Sequence, residues 1–178
     1  GSAARVYFGQ FSALLKKREE GFDFTLDGRT KRPPSDPVNA MLSFLYSLLT
    51  KEVAVTLTAV GFDPLLGFFH RVRHGRPSLA LDVMEPFRPL VADSVVLSLV
   101  NKGGVRSRDF WSGAGGVAMK TNARRRVIAA FEQRLDELVT HPVFQYRISY
   151  RRVLEVHVRL LGRYLAGEVP DPPSFLTR

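Results

Sequence analysis

Three side chains that could bind a divalent cation lie close together along the chain: His70, Asp82 and Glu85. Imidazole nitrogen and carboxylate oxygen are ligands that suit Mg²⁺ or Mn²⁺. Asp82 and Glu85 are spaced to share one face of a helix, although Pro86 interrupts regular geometry at that point. A second interpretation stays open on spacing alone, in which these residues form a capping or salt-bridge group.

The sequence around these residues is rich in arginine. The guanidinium group binds phosphate oxygens in pairs, so nearby arginines would neutralise the phosphates of an incoming nucleic acid. Ordinary surface charge is the competing interpretation. The arginines concerned are Arg71, Arg73, Arg76 and Arg88.

The composition also favours a phosphate-bearing partner. The chain has 178 residues, with 26 Lys and Arg against 17 Asp and Glu, and a formal net charge of +9. Most of the basic residues are arginine, which favours nucleic acid as the partner. A GC-rich genome would also produce this bias toward arginine. The chain has no cysteine, which excludes disulfide scaffolds, zinc ribbons, iron–sulfur clusters and thiol catalysis.

Membrane insertion and export are not expected. The longest apolar region, residues 38–60, is interrupted by Asn39, Ser43, Lys51 and Glu52. The N-terminal residues lack a basic segment that leads into an apolar one, as a secretory signal would require. We therefore expect a cytoplasmic protein without a membrane partner.

Apolar residues recur at spacings of three and four, which predicts one all-α domain over residues 1–178. Asp36-Pro37 begins a long helix that ends at Gly61, and its apolar residues lie nearly all round, as in a buried central helix. Around it we expect an irregular set of helices and at most a small hairpin. The other predicted helical segments are 3–19, a short turn from Asp63, 78–100 (kinked or split at Pro86 and Pro89), 121–139 and 146–166. Candidate hairpins lie at Asp27-Gly28 and in the glycine-rich segment 101–120, with Trp111 as an anchor.

The last predicted helix carries many arginines. They form either a face that follows a phosphate backbone or a solvated face whose arginines pair with acidic neighbours. The two interpretations have equal weight. The residues are Arg147, Arg151, Arg152, Arg159 and Arg163.

Five strings, in order, resemble the helical C-terminal domain of the universal CRISPR-associated DNA integrase, the metal-dependent nuclease of spacer acquisition. They are SDPVNAMLSFLYSLL, GFDPLLGFFH, SLALDVMEPFRPLVAD, RRRVIAAFEQRL and YRRVLEVHVRLLGRYLAGE. The first three combine an Asp-Pro-x-Asn helix start, a Gly-Phe-x-Pro turn before a histidine, and an Asp-x-x-Glu-Pro-Phe-Arg-Pro core. The resemblance covers nearly the whole chain.

The resemblance implies which residues form the site. His70 matches the family's metal-binding histidine and Glu85 its second carboxylate ligand, while Asp82 matches a nearby acid that is either a supporting partner or an alternative ligand. The family's remaining ligand is a glutamate directly before a Gly-x-x-Ala-Arg string. Residues 1–5 reproduce that string, so we expect this glutamate and a β-rich N-terminal domain to be missing, whether Gly1-Ser2 is native or left from cloning.

The resemblance also implies a function. Bound Mg²⁺ or Mn²⁺ would orient a DNA 3′-hydroxyl against a phosphodiester, so that spacer DNA is joined to a CRISPR array. His70, Asp82 and Glu85 would be the catalytic group, with weak or no activity in a chain that lacks one ligand. Implied partners are branched, donor and repeat DNA, a small second CRISPR-associated protein, and a second copy of the intact protein. The alternative is a non-catalytic basic helical module that binds nucleic acid or docks a larger assembly.

Overall fold

The computed structural model describes residues 2–16, 24–26, 28–142 and 144–175, and side chains from residue 5 onward. These residues contain six α-helices and four short strands in two antiparallel hairpins. The helices are α1 (Ser2–Phe11), α2 (Pro37–Val60), α3 (Ser78–Met84), α4 (Ser94–Asn101), α5 (Thr121–Asp136) and α6 (Tyr150–Leu165). The strands are β1 (Phe110–Gly113), β2 (Gly116–Met119), β3 (Leu138–Thr140) and β4 (Arg147–Ser149). The protein is thus mainly helical, but the expectation of an all-α fold is too narrow.

The chain divides into two compact units. The first contains residues 1–46 and 92–132, and the second contains residues 47–91 and 133–178. The boundaries fall inside α2, α5 and a π-helical turn over Arg88–Asp93.

The predicted cap of α2 is confirmed. The Asp36 carboxylate accepts the backbone N–H of Asn39 at 2.7 Å, as an N-cap residue does, and Gly61 follows the helix with φ +105°. Asn39 is buried, and its side-chain oxygen accepts the N–H of Thr30 while its amide donates to the carbonyl of Gly28. The Asp-Pro-x-Asn string is therefore structural, because it fixes the preceding connector to the helix.

The expectation that α2 is buried all round is only partly right. Its first residues are buried, and further along a stripe at spacings of three and four is fully buried, but Val55 is 60% exposed. By length and composition α2 could cross a membrane. Core helices pass the same test, and the buried stripe is typical of one. That stripe consists of Leu42, Leu45, Leu49, Val53 and Leu57.

A buried carboxylate marks the first unit. Asp93, at the end of the π-helical turn, accepts hydrogen bonds at 2.7 Å from the hydroxyls of Tyr7 and Tyr46. Burial, and then the Asp93 contact, raise the pKa of Tyr7 above its usual value. These contacts meet the requirement that a buried charged group be hydrogen-bonded. Sequence reasoning did not find this cluster, whose members are far apart in the chain.

Other predicted segments differ in detail from the structure. The first helix ends at Phe11 and is followed by a 3₁₀ turn to Leu14 and an extended Leu15. The prediction that this helix continues to residue 19 is therefore wrong for residues 12–16. Residues 17–19 lie outside the described residues. The residues after Asp63 form turns rather than a helix. Segment 78–100 is split after Met84, one of the options that Pro86 and Pro89 left open.

One of the two hairpins lies where the sequence predicts it, and the other does not. The glycine-rich segment does contain β1 and β2, but Trp111 is 66% exposed and does not anchor them. The described residues around Gly28 form no strand, and residue 27 lies outside the description. The hairpin of β3 and β4 was missed because its residues were assigned to the neighbouring helices.

Candidate metal and nucleic-acid site

The candidate site is built in the second unit by a turn, residues 67–70, that packs against α3. Gly67 lies so close to the helix that a Cβ atom there would stand 2.7 Å from Cβ of Ser78 and 2.8 Å from its backbone carbon. Contacts that short do not occur in relaxed proteins, so this position requires glycine. Further along the loop, the Ser78 hydroxyl donates to the carbonyl of Arg71 at 3.1 Å, and the N–H of Leu79 donates to the carbonyl of Pro64 at 2.9 Å.

Asp82 holds this turn through both carboxylate oxygens. Oδ2 accepts the backbone N–H groups of Phe68 and Phe69 at 2.7 and 3.0 Å. Oδ1 accepts the backbone N–H of His70 at 3.1 Å and lies 2.5 Å from Nδ1 of the same residue. Four donors thus converge on one carboxylate whose side chain is 5% exposed.

These contacts also fix the charge of Asp82. Burial by itself raises the pKa of the carboxyl, but the hydrogen bonds from the His70 ring and from the three backbone amides outweigh it and lower the pKa below its usual value. Asp82 is therefore ionised at neutral pH and can only accept hydrogen bonds. It follows that Nδ1 of His70 carries a proton, so that in the neutral form of the ring Nε2 holds the lone pair.

Nε2 is available for a ligand. The His70 side chain is 28% exposed, and Nε2 has no hydrogen-bond partner among the described residues. An imidazole that donates one ring N–H to a carboxylate and presents the other nitrogen outward has the usual arrangement of a metal-ligating histidine. Asp82 is thus placed as a partner that orients the ring, and its carboxylate oxygens already accept four hydrogen bonds.

Glu85 lies in the turn that follows α3. Its side chain is 47% exposed and forms an ion pair with Arg88, Nη2 to Oε1 3.1 Å. Such an exposed pair contributes about 0–1 kcal/mol, so the carboxylate could exchange it for a stronger partner at little cost. Arg88, predicted to contact phosphate, is instead engaged here with the predicted ligand.

No complete ligand set is present in the described part of the chain. Residues 2–16, 24–26, 28–142 and 144–175 contain no group of three His, Asp or Glu side chains placed to hold one metal ion. His70 and Glu85 alone supply one nitrogen and one carboxylate, which are donors that fit Mg²⁺ or Mn²⁺ but leave most of the coordination shell to other groups.

The arginines fall into two classes. Arg71 and Arg73 are exposed and Arg76 is half-buried, and within the described residues they make no ion pair. In contrast, four of the five late arginines pair with acidic residues, as the solvated-face interpretation predicts, while the fifth, Arg147, belongs to β4. The pairs are Arg151 with Glu52 and Asp136, Arg152 and Arg159 with Glu155, and Arg163 with Glu168.

The remaining histidines are not all at the surface. His74 is exposed, but His141 and His157 are buried. His157 meets the Phe87 ring edge-on at 5.2 Å between centroids, and the Phe175 ring stacks on Phe87 at 5.9 Å. These rings belong to the core of the second unit.

Comparison with known proteins identifies the family. Residues 1–133 match the family model described as CRISPR associated protein Cas1, and the chain belongs to that family. A Cas4/Cas1 fusion from Geobacter sulfurreducens is 55% identical over the whole of this chain, which covers 32% of that protein. A CRISPR-associated endonuclease Cas1 from Thermus thermophilus is 43% identical, again over the whole chain, which covers 52% of it. The chain thus spans about half or less of the length of these relatives.

Solved structures agree with this assignment. A CAS1 protein from Thermotoga maritima superposes with a TM-score of 0.82 and 28% identity, over 95% of this chain and 52% of that one. A casposase bound to its integration product superposes with a TM-score of 0.81 and 28% identity, over 96% of this chain and 47% of that one. A Cas6-RT-Cas1–Cas2 complex superposes with a TM-score of 0.79 and 26% identity, over 99% of this chain and 19% of the other.

Proposed function

We propose that this chain is the helical, C-terminal catalytic portion of a Cas1 DNA integrase, which joins spacer DNA to a CRISPR array by metal-dependent transesterification. The observation that carries the proposal is the His70–Asp82 pair, in which an ionised, fully hydrogen-bonded carboxylate turns Nε2 of an accessible imidazole outward. The five family strings support the placement in the C-terminal portion, and the chain's partial cover of its relatives is consistent with it.

His70 and Glu85 would hold one divalent cation. When bound, Mg²⁺ or Mn²⁺ would polarise the phosphodiester and stabilise the charge that develops during strand transfer. Asp82 keeps the proton on Nδ1, so that the lone pair of the neutral ring lies on Nε2. Glu85 would exchange its ion pair with Arg88 for the cation, and the released guanidinium could then contact a DNA phosphate.

A third protein ligand is needed from outside the described residues. By the resemblance, it is a glutamate that directly precedes a Gly-x-x-Ala-Arg string. The described residues supply only two donors, so without this third ligand we expect weak metal binding and little activity.

Arg71, Arg73 and Arg76 would bind the DNA backbone. They lie directly after His70 and have no acidic partner among the described residues, so their charge is available to phosphate. We also propose a Cas2-type partner and a homodimer of the intact protein, acting in the cytoplasm. Two structural relatives support these partners, since one is a casposase bound to its integration product and the other is a Cas6-RT-Cas1–Cas2 complex.

The test restores the upstream glutamate. We would extend the chain at its N-terminus with the Cas1 sequence that ends in Glu and assay strand joining and cleavage on branched DNA with Mg²⁺ or Mn²⁺. We expect activity that is lost in His70→Ala and in Glu85→Ala, while Arg152→Ala, on an acid-paired arginine, retains it. A restored protein that folds and binds DNA yet stays inert with both metals would favour the non-catalytic binding module.

A further inference from the structure

The turn that carries His70 also exposes an unusual amount of apolar surface. Phe69 is 91% exposed and Phe68 is 59% exposed, and both directly precede the histidine. Water-exposed aromatic surface of this extent, rimmed by polar residues, marks a binding site. Neighbouring exposed apolar residues are Leu65, Leu66 and Val72.

Phe69 is exposed on a fixed backbone. Its own N–H and those of Phe68 and His70 all donate to the Asp82 carboxylate, so the backbone is anchored at three consecutive residues. The Phe69 ring, however, contacts no other ring or cation within the described residues. This differs from Phe87 and Phe175, which stack on each other. A ring held in place with both faces open is preorganised for a planar ligand.

The surroundings of this ring are cationic. Arg71, Arg73 and His74 are exposed on the same loop, and the arginines have no acidic partner in the described part of the chain. Aromatic faces beside phosphate-binding cations are the arrangement by which proteins hold single-stranded nucleic acid, with bases stacked on the rings and phosphates on the arginines. A base inside a duplex has both faces covered by its neighbours, whereas an unpaired base offers a free face for stacking.

We infer that Phe69 is a stacking platform for an unpaired nucleobase of the DNA, next to the phosphodiester that His70 addresses. Phe69 thereby positions a strand end and selects DNA with unpaired nucleotides over blunt duplex. This inference rests on the proposed function, because it takes DNA as the ligand of the basic loop. It adds a positioning residue that acts through the base rather than on the reacting phosphate.

The test compares two DNAs of equal length and charge, one blunt and one with unpaired 3′ nucleotides that include the fluorescent base 2-aminopurine. We expect the chain to bind the frayed DNA more tightly and to quench 2-aminopurine, because stacking quenches this base. In Phe69→Leu, which keeps an apolar side chain at an exposed position, the preference should fall by roughly 5- to 100-fold, the usual size of one base-stacking contact. Phe69→Trp should restore both the preference and the quenching.

Val72→Ala serves as the matched control, since Val72 is 59% exposed on the same loop but has no π face. The control should bind like the unaltered chain. Stacking is not ionic, so the ratio of the affinities for frayed and blunt DNA should stay constant as the salt concentration rises, while each affinity falls.

Two results would overturn the inference, and they can be told apart. If the chain binds both DNAs equally and Phe69→Leu changes nothing, Phe69 is not a stacking platform, but DNA binding by the basic loop stands. If the chain binds neither DNA, the DNA ligand of the proposed function fails as well. In that case, self-association lost in Phe69→Leu by sedimentation would assign the exposed rings to a protein interface.

Discussion

At the scale of single residues, Asp82 determines what His70 can do. Spacing alone left open whether this carboxylate is a ligand, a supporting partner or a helix cap. Its four hydrogen bonds show that it orients the imidazole and ties the turn to α3. That role could not be read from the sequence, because the backbone N–H groups that donate to it carry no sequence signature.

Asp82→Asn tests this role. The amide has one acceptor oxygen instead of two, so at least one of the N–H groups that Asp82 binds loses its partner. We expect a loss of about 1–3 kcal/mol in the free energy of unfolding by urea denaturation. We also expect Mn²⁺ affinity to fall roughly 10- to 100-fold, as when a histidine ligand loses its orienting carboxylate.

Asp136→Asn is the control for that substitution. Asp136 is 68% exposed and, among the described residues, pairs only with Arg151, at 3.2 Å, so its effect on stability should stay within about 0.5 kcal/mol. Equal effects of the two substitutions would mean that Asp82 does not organise the turn.

At the scale of elements, the contact between the turn and α3 positions the site. Gly67→Ala should destabilise the protein by about 1–3 kcal/mol, because the new methyl group would meet the backbone and Cβ of Ser78. Urea unfolding of this variant and of Gly115→Ala measures the effect, since a Cβ at Gly115 meets nothing within 4 Å. If Gly67→Ala is as stable as Gly115→Ala, the turn does not pack as described.

The basic loop and α6 should respond differently to DNA. Arg71→Ala and Arg73→Ala should each lower the slope of log affinity against log salt by about 0.9, the value for one lost phosphate contact on duplex DNA. Arg152→Ala removes an arginine already paired with Glu155 and should leave the slope unchanged. Fluorescence anisotropy at several salt concentrations measures all three. A reversed order would place the DNA on α6 instead.

Elements with strong local signals were predictable. The bounds of α2 follow from Asp36-Pro37 at its start and Gly61 at its end. The hairpin of β3 and β4 was not predictable. Its strands, Leu138–Thr140 and Arg147–Ser149, have only three residues each, too few to show an alternating pattern. The sequence did not indicate that Phe69 is exposed, because an aromatic residue after a proline turn gives the same pattern whether it is buried or exposed.

At the scale of the whole molecule, His157 links stability to pH. Burial, and then the charge of His141, lower the pKa of His157 from 6.5 to about 4. Between these values the unfolded chain binds a proton that the folded chain does not, so stability falls as pH falls from 6.5 to 4. The loss attributable to this group reaches about 3 kcal/mol.

Urea unfolding from pH 4 to 7.5 measures this loss. The difference between the unaltered chain and His157→Gln should shrink as the pH falls, because the variant has no proton to bind there. His74→Gln, on an exposed loop residue, should follow the unaltered chain throughout. Parallel curves for all three proteins would show that His157 does not carry the linkage.

The central claim is that Nε2 of His70, oriented by Asp82, accepts a divalent cation together with Glu85. Its most direct test is a Mn²⁺ titration followed by NMR of the imidazole signals, in which His74 and the buried His141 and His157 are internal references. We predict that the His70 signals broaden first, at low Mn²⁺, and that Glu85→Gln removes this preference. The claim is contradicted if the His70 signals stay sharp while those of His74 broaden.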